Sequence, residues 1–242
     1  MSDVNRTPEL QIIVPVHNEA ESIGATLREW HQELSRRVTM EFVVCEDGST
    51  DDTTTVLTEL SEQFPLRLLT APGRKGYARA VLDGLTVATA PFILAIDGDG
   101  QLDPKDFWSF WERRHQHDVT IGWRIARADP VFRRAMSRAF RMWYRVLFTV
   151  PVHDPSCPFV LMQQRAVRTL VPRLGVLRQG IWWEVTARAA GAGLNLAEIP
   201  IRSRRRAAGG TRVWKPRKLP GIVVAHGLGL IRIWLETRSS MR

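Results

Sequence analysis

The stretch Asp97-Gly98-Asp99-Gly100-Gln101 follows the short apolar run Phe92-Ile93-Leu94-Ala95-Ile96 and precedes a predicted helix start at Asp103-Pro104. Two carboxylates therefore stand one residue apart at the carboxyl end of a predicted buried strand, and ligands bind at that edge of an open α/β sheet. Their oxygens, with the amide oxygen of Gln101, suit a divalent cation that keeps ligand positions for a diphosphate. The same residues would also form an ordinary Asp-Gly turn, so the metal interpretation depends on the rest of the chain.

Ahead of this turn the hydrophobic pattern predicts strands that alternate with helices. The predicted strands are 10–16, 41–45, 66–70 and 92–96, and the predicted helices are 21–36, 53–63 and 77–88. This alternation predicts the α/β class, with a mostly parallel sheet and helices on both faces. Asp47 follows the second strand, so we expect it on the same sheet edge as Asp97 and Asp99.

The composition limits the class of protein and its partners. The chain has 242 residues, 44% hydrophobic and 24% charged, which suits one α/β domain with or without an appendage. Its net charge of +9 favours an anionic partner: nucleic acid, phosphorylated small molecules or an acidic membrane surface. Two cysteines give no disulfide framework. The chain lacks the G-x-G-x-x-G and G-x-x-x-x-G-K-[ST] phosphate loops, which argues against a dinucleotide oxidoreductase.

Four motifs together resemble the nucleotide-sugar domain of family 2 glycosyltransferases, which have the GT-A fold, a Rossmann-like sheet. These motifs are Val14-Pro15-Val16-His17-Asn18-Glu19, Glu46-Asp47-Gly48-Ser49-Thr50-Asp51, Gly73-Arg74-Lys75-Gly76 and Asp97-Gly98-Asp99-Gly100-Gln101. The similarity is strongest to dolichyl- and polyprenyl-phosphate sugar synthases, and it continues through 121–124, 154–159 and 202–212. We therefore expect a GT-A domain over 1–214 and an amphipathic C-terminal tail over 215–242.

The resemblance implies an activity and a set of site residues. The activity is inverting transfer of a sugar from a nucleotide sugar, of the GDP-mannose or UDP-glucose type, to a polyprenyl or dolichyl phosphate. Donor contacts would come from Pro15, His17, Glu19, Asp47 and Lys75, and Mg²⁺ or Mn²⁺ would be held by Asp97, Asp99 and Gln101. Phosphate contacts would come from Arg124, Arg133, Arg206 and Arg212, and the residues assigned to catalysis are Asp99, Asp154 and Arg124.

Two basic segments have alternative interpretations. In 131–148 an apolar stripe of Phe132, Met136, Ala139, Phe140, Trp143 and Leu147 stands beside a basic stripe of Arg134, Arg138, Arg141 and Arg145. This pattern is typical of a helix in a membrane interface, and equally of a surface helix packed on the sheet. Segment 201–218 holds eight basic and no acidic residues around Gly209-Gly210. It would close over a diphosphate, or form a basic linker or an RNA-binding patch.

The competing functions differ in the chemical group that accepts the sugar. A phosphate acceptor needs no strong base, whereas a hydroxyl acceptor needs one, for which Asp154 and Glu184 are the candidates. The alternative function is therefore a soluble glycosyltransferase that acts on a saccharide or protein hydroxyl. A nucleic-acid-binding module would explain the net charge but not the acidic turns, so no nucleic-acid partner is expected.

The location of the protein is predicted from its two ends. The first ten residues contain no apolar signal region, and the apolar run 219–235 is too short and too polar for a transmembrane helix. We expect a cytoplasmic protein in peripheral contact with an acidic membrane surface at its cytoplasmic face. Its partners would be a nucleotide sugar and a polyprenyl phosphate.

Overall fold

One seven-stranded sheet organises the protein. The computed structural model describes residues 7–125, 140–204 and 219–239. Its strands are β1 Leu10–Val16, β2 Met40–Glu46, β3 Leu66–Thr70, β4 Phe92–Ala95, β5 Val119–Arg124, β6 Val160–Gln163 and β7 Leu196–Ile201. They lie in the order β3-β2-β1-β4-β6-β5-β7. All pairs are parallel except those of β6, which runs antiparallel to β4 and β5. The predicted mostly parallel α/β sheet is confirmed.

Helices cover the sheet and continue through the second half of the chain. They are α1 Ala20–Leu34, α2 Thr53–Ser61, α3 Tyr77–Val87, α4 Phe107–Trp111, α5 over 140–147, α6 Gln164–Leu170, α7 Ile181–Gly191 and α8 Leu219–Ser239. Short 3₁₀ turns lie at Pro104–Asp106 and Val171–Arg173. The predicted ends of the first four strands and first three helices agree with the structure within two residues.

The main core lies on both faces of β1, β2 and β4. Every residue of β1 and β4 is buried, and so are all but one of β2. Such continuous apolar runs are typical of strands covered by helices on both faces. The amphipathic helix α1 buries Ile23, Leu27, Trp30 and Leu34 against this sheet. The three strands that end at the candidate site are therefore the most deeply buried ones.

A second apolar cluster joins α5, α7 and α8. Its buried members are Tyr144, Phe148, Leu177, Ala187, Leu230 and Ile233. Phe140, Trp143 and Leu147 of the predicted apolar stripe pack against it, so in the described residues this stripe is packed on the protein. The predicted stripe omitted Tyr144 of α5 and Phe148, which directly follows α5, and both are buried. Residues 131–139, with the rest of both predicted stripes, lie outside the described part.

Helix α8 bears on two predictions about the C-terminal region. Among the helices of the described residues, none combines the length and the apolar character needed to cross a membrane. Leu230 and Ile233 of α8 pack in the second cluster, so this helix is in contact with the rest of the protein. The boundary between 1–214 and 215–242 stays a prediction, since residues 205–218 lie outside the described ranges.

Gly84 sets the distance between α3 and the sheet. A Cβ at this position would lie 2.5 Å from Ile13 Cγ2 and 2.7 Å from Cys45 Sγ, both in buried strands. We therefore expect Gly84→Ala to lower the free energy of unfolding by about 1–3 kcal/mol through overpacking. Urea denaturation followed by circular dichroism measures this loss.

Gly221→Ala is the matched control, because a Cβ on Gly221 of α8 would have none of the described atoms within 4 Å. This control should show no loss of stability. Equal free energies of unfolding for the two variants would show that α3 can move away from the sheet at no cost.

Candidate active site

Three turns meet at the carboxyl edge of the sheet. The parallel register aligns Val16 with Glu46 and Ile13 with Ala95, so β1, β2 and β4 all lead to the same edge. The turns that follow are 17–19, 47–51 and 96–101, with the β1 turn in the middle. The predicted placement of Asp47 on the same edge as Asp97 and Asp99 therefore agrees with the topology.

Hydrogen bonds join the first two turns. Asn18 adopts a φ of 55°, a left-handed conformation that asparagine tolerates better than most residues. Its backbone N–H donates to Ser49 Oγ (2.9 Å), and its side-chain oxygen accepts from Thr50 N (2.7 Å). The N–H of Glu19 donates to Thr53 Oγ1 (2.9 Å). Both turns are thereby held as one surface.

Two further polar side chains lie next to these turns, Glu46 at the end of β2 and His17 directly after β1. The Glu46 carboxylate accepts a hydrogen bond from Ser49 N, so Glu46 orders the turn that follows it. His17 Nδ1 is buried and has no hydrogen-bond partner among the residues that the structure describes. Pro15 is buried within β1. An unpartnered polar atom at this edge is a candidate contact for a bound ligand.

Asp47 fastens the 71–76 loop to the sheet edge. Only 3% of Asp47 is exposed, and its two oxygens accept from Lys75 N (2.7 Å) and Gly76 N (2.8 Å). Gly48 has a φ of 64°, and a Cβ there would lie 2.5 Å from the carbonyl carbon of Gly73. The Lys75 side chain pairs with Asp83 of α3. The donor contacts expected of Asp47 and Lys75 stay predictions, and the observed role of Asp47 is to order the loop.

The acidic turn is held by a tyrosine. Asp97 Oδ1 accepts from the hydroxyl of Tyr77 (2.7 Å), and that hydroxyl oxygen accepts from Trp182 Nε1 (2.8 Å). Burial, and then the charge of Asp97, raises the pKa of Tyr77 well above its ordinary value, so the phenol remains a neutral donor. Asp99 Oδ1 accepts from Gln101 N (3.1 Å), which closes the turn.

The start of the second basic segment lies against the acidic turn. Arg204 N donates to Gln101 O (2.8 Å), and Gln101 Nε2 donates to Arg204 O (3.2 Å). Arg204 also pairs with Glu29 of α1 (2.7 Å) and with Asp103 (2.8 Å). Segment 201–204 is thus anchored beside the candidate metal ligands. The predicted phosphate-binding residues Arg133, Arg206 and Arg212 lie outside the described residues.

Two of the predicted catalytic residues form an ion pair. Arg124 Nε donates to Asp154 Oδ2 (2.7 Å), and Nη2 donates to Asp154 Oδ1 (3.0 Å) and Ser156 Oγ (2.9 Å). Burial alone would lower the pKa of Arg124, but the bonds to Asp154 raise it above its ordinary value, and nearby Asp97 adds to the rise. Arg124 is therefore a fixed positive charge close to the acidic turn.

Glu198 of β7 holds the loop that carries Asp154. Its Oε1 accepts from the backbone N–H groups of His153 and Asp154, each at 2.7 Å, and its Oε2 lies 2.7 Å from His153 Nδ1. The Glu198 side chain is 7% exposed, whereas the His153 side chain is 56% exposed, so the carboxylate holds the 153–154 loop from its inner side. Sequence analysis did not single out Glu198, since no local pattern links β7 to the 153–154 loop.

Glu184, the other candidate base, and the two cysteines are buried. Glu184 is fully buried and accepts from Leu177 N (2.9 Å), Gly175 N (3.2 Å) and Arg188 Nε (2.9 Å). Its carboxylate is therefore used to order a loop and to pair a buried arginine. Burial raises the pKa of Cys45 and of Cys157 to about 12, which keeps both thiols protonated.

The oxygen ligands on the acidic turn suit a divalent metal ion. Within the described ranges, no group of three or more His, Cys, Asp and Glu side chains is arranged to hold a metal. Asp97, Asp99 and Gln101 supply two carboxylates and an amide, all oxygen donors, from one turn. Such a set suits Mg²⁺ or Mn²⁺, which take their remaining ligands from water and substrate phosphates.

The chain belongs to glycosyl transferase family 2, because residues 11–170 match the model of that family. This confirms the predicted family and the prediction of a glycosyltransferase.

Two relatives carry more specific names. A dolichyl-phosphate beta-glucosyltransferase of Trichomonas vaginalis is 26% identical over 208 residues, 78% of this chain and 62% of that protein. A dodecaprenyl-phosphate galacturonate synthase of Rhizobium johnstonii is 28% identical over 69% of this chain and 51% of that protein. The chain thus spans less than two thirds of these relatives.

A solved structure shows the same fold. The glucosyl-3-phosphoglycerate synthase of Mycobacterium tuberculosis, in complex with Mn²⁺, UDP-glucose and phosphoglyceric acid, superposes with a TM-score of 0.69. The match covers 94% of this chain and 80% of that one at 14% identity. The predicted GT-A fold is confirmed by this likeness.

The bonds of Glu198 predict its effect on the Arg124–Asp154 pair. Glu198→Ala leaves two backbone N–H groups of the 153–154 loop without their acceptor, so Asp154 and its arginine shift. Because small displacements of site groups are costly, we expect the rate of glycosyl transfer to fall roughly 10- to 100-fold. Glu198→Gln keeps an oxygen acceptor and should restore most of the rate.

Glu41→Ala is the control for Glu198→Ala. Glu41 is also a strand carboxylate with a hydrogen bond, from Gln11 Nε2 (2.6 Å), but it lies near the amino end of β2. Steady-state rates of all three variants are compared with their melting temperatures. Equal rates for Glu198→Ala and Glu41→Ala would contradict the assigned role.

Proposed function

We propose that this protein transfers a sugar, with inversion, from a nucleotide sugar to a polyprenyl or dolichyl phosphate. The observation that supports this most is the Arg124–Asp154 ion pair beside the acidic turn. It places a fixed positive charge near Asp97, and it occupies the carboxylate that a hydroxyl acceptor would need as its base. The names of the two relatives, both lipid-phosphate sugar transferases, support the same acceptor class.

The donor would bind at the three turns that meet at this edge. The unpartnered His17 Nδ1, with Glu19 and the Asp47 turn, would contact the nucleoside, of the GDP-mannose or UDP-glucose type. Asp97, Asp99 and Gln101 would hold a divalent cation, Mg²⁺ or Mn²⁺, which when bound neutralises the leaving diphosphate. The hydrogen bonds between the first two turns would hold the nucleoside end of the donor in place before the acceptor arrives.

The acceptor phosphate would be positioned by arginines. A phosphate monoester has its second pKa near ~6, so it is largely ionised at neutral pH and attacks without a strong base. In the part of the chain that the structure describes, Arg124 bonds to Asp154 and Ser156 through Nε and Nη2, and in this proposal Nη1 would contact a phosphate oxygen. Asp154 would then orient Arg124 instead of accepting a proton. Arg133, Arg206 and Arg212 would complete the phosphate contacts, as the family resemblance implies.

The experiment that tests this function measures nucleoside diphosphate release from a panel of nucleotide sugars with Mn²⁺ or Mg²⁺. We expect release with polyprenyl phosphate in detergent, and none with the matched unphosphorylated polyprenol. Asp99→Ala should abolish turnover while circular dichroism shows an intact fold, because the variant loses a metal ligand.

Two outcomes would contradict the proposal. Release that needs a free saccharide or protein hydroxyl and ignores the lipid phosphate would favour the alternative glycosyltransferase. Turnover that survives chelation of the metal would remove the role of Asp97 and Asp99 in metal binding.

We further propose peripheral contact with an acidic membrane surface at its cytoplasmic face. Helix α8 presents an exposed apolar stripe with spacings of four, three and four residues: Val224, Leu228, Ile231 and Leu235. A cleft of about 950 Å³ lies beside this helix and is lined by Arg173 and Arg178, and by Arg188 and Arg232, which both pair with Glu236. Exposed apolar side chains next to arginines suit the boundary between acyl chains and anionic headgroups.

The stripe on α8 predicts how vesicle binding responds to one substitution. Leu228 is 65% exposed, so Leu228→Glu should leave the fold intact while placing a charge where acyl chains would lie. We expect about tenfold weaker co-sedimentation with vesicles of phosphatidylcholine and phosphatidylglycerol, since burial of one leucine contributes about 1.5–3 kcal/mol.

Thr55→Glu on the exposed face of α2 adds the same charge elsewhere and is the control. It should bind vesicles like the unaltered protein. If Leu228→Glu binds as tightly as Thr55→Glu, then α8 is not the membrane-contacting surface.

A further inference from the structure

A chain of hydrogen bonds connects α7 to the candidate metal ligand Asp97. Trp182 lies in the first turn of α7, Tyr77 is the first residue of α3, and Asp97 follows β4. The indole N–H of Trp182 donates to the Tyr77 oxygen (2.8 Å), and the Tyr77 hydroxyl donates to Asp97 Oδ1 (2.7 Å). These two bonds thus link α7, α3 and the turn after β4 in series.

The direction of each bond in this chain is determined by chemistry. An indole N–H can only donate, and an ionised carboxylate can only accept. The Tyr77 oxygen receives the Trp182 proton on one side, so its own single proton must point to Asp97. Trp182 is 5% exposed, which keeps water from competing for its end of the chain. The hydroxyl of Tyr77 is therefore held in one orientation.

We infer that Tyr77 is a positioning residue for Asp97, and that Trp182 sets the orientation of the Tyr77 hydroxyl; this inference rests on the proposed metal-binding role of Asp97. By holding Oδ1, Tyr77 restricts the rotation of the Asp97 carboxylate on the acidic turn. Hydrogen-bond partners behind a metal ligand typically change metal affinity by about 10- to 100-fold.

The same two hydrogen bonds link the first and second halves of the protein. Tyr77 and Asp97 belong to the half that carries the three turns of the site, whereas α7 belongs to the half that packs against α8. Arg188 of α7 pairs with Glu236 of α8 (2.7 Å), so α7 is itself held by the C-terminal helix. The geometry of the metal site consequently depends on the placement of α7.

The protein contains a matched control for each position. Its other tyrosine, Tyr144, is 1% exposed and donates its hydroxyl to the Trp183 carbonyl oxygen (3.0 Å), away from the acidic turn. Tyr144→Phe therefore removes a buried hydroxyl bond without touching Asp97. Trp183→Phe likewise changes the neighbouring indole of α7 without touching Tyr77.

The test is Mn²⁺ binding in the presence of a nucleoside diphosphate, followed by the electron paramagnetic resonance signal of free Mn²⁺. We expect Tyr77→Phe to weaken Mn²⁺ binding about tenfold. Trp182→Phe should weaken it in the same direction by a smaller factor, whereas Tyr144→Phe and Trp183→Phe should bind like the unaltered protein. In transfer assays, excess Mn²⁺ should restore the turnover number of Tyr77→Phe.

Asp97→Ala separates the failure of this inference from that of the proposed metal site. If the unaltered protein binds Mn²⁺ more tightly than Asp97→Ala, but Tyr77→Phe and Trp182→Phe equal the unaltered protein, then the positioning role is wrong. If the unaltered protein binds no better than Asp97→Ala, the metal assignment itself fails. Urea denaturation shows whether the two tyrosine variants lose comparable stability, and a loss of Mn²⁺ binding shared by Tyr144→Phe would also overturn the inference.

Discussion

The parallel pairing of β1 with β2 and β4 is the constraint on which the rest of the structure depends. It brings three turns to one edge of the sheet, although they begin at positions as distant in sequence as 17, 47 and 96. Because these strands are buried on both faces, a shift in register would move apolar side chains out of the positions in which they pack and would displace the turns relative to one another. The core and the candidate site are therefore stabilised by the same strand pairing.

Several acidic residues organise the turns and loops of the protein. Glu46, Asp47, Glu184 and Glu198 accept hydrogen bonds from backbone N–H groups, and each orders a turn or loop in this way. A buried carboxylate is stable only when its oxygens are satisfied, so these residues organise the site from behind. Asp97 and Asp99 lie on the turn nearest to Arg124, where the opposite charges of donor and metal would meet.

The order of motifs along the sequence predicted the first half of the fold and the location of the acidic turns. Long apolar strands followed by amphipathic helices give strong periodic signals, and parallel topology then determines which strand ends lie together. The second half gave weaker signals. Strand β6 has four residues and α6 has seven, too few for a clear period, and the antiparallel placement of β6 depends on contacts distant in sequence.

The sequence by itself determined the family, the α/β class and which acidic residues follow the central strands, because these properties are local or follow from motif order. Only the tertiary structure decided the partner of each side chain. Arg124 meets Asp154 across 30 residues, and Trp182 meets Tyr77 across 105. Spacing along the chain carries no information about such contacts, since they form only where separate elements pack and exclude water from between them.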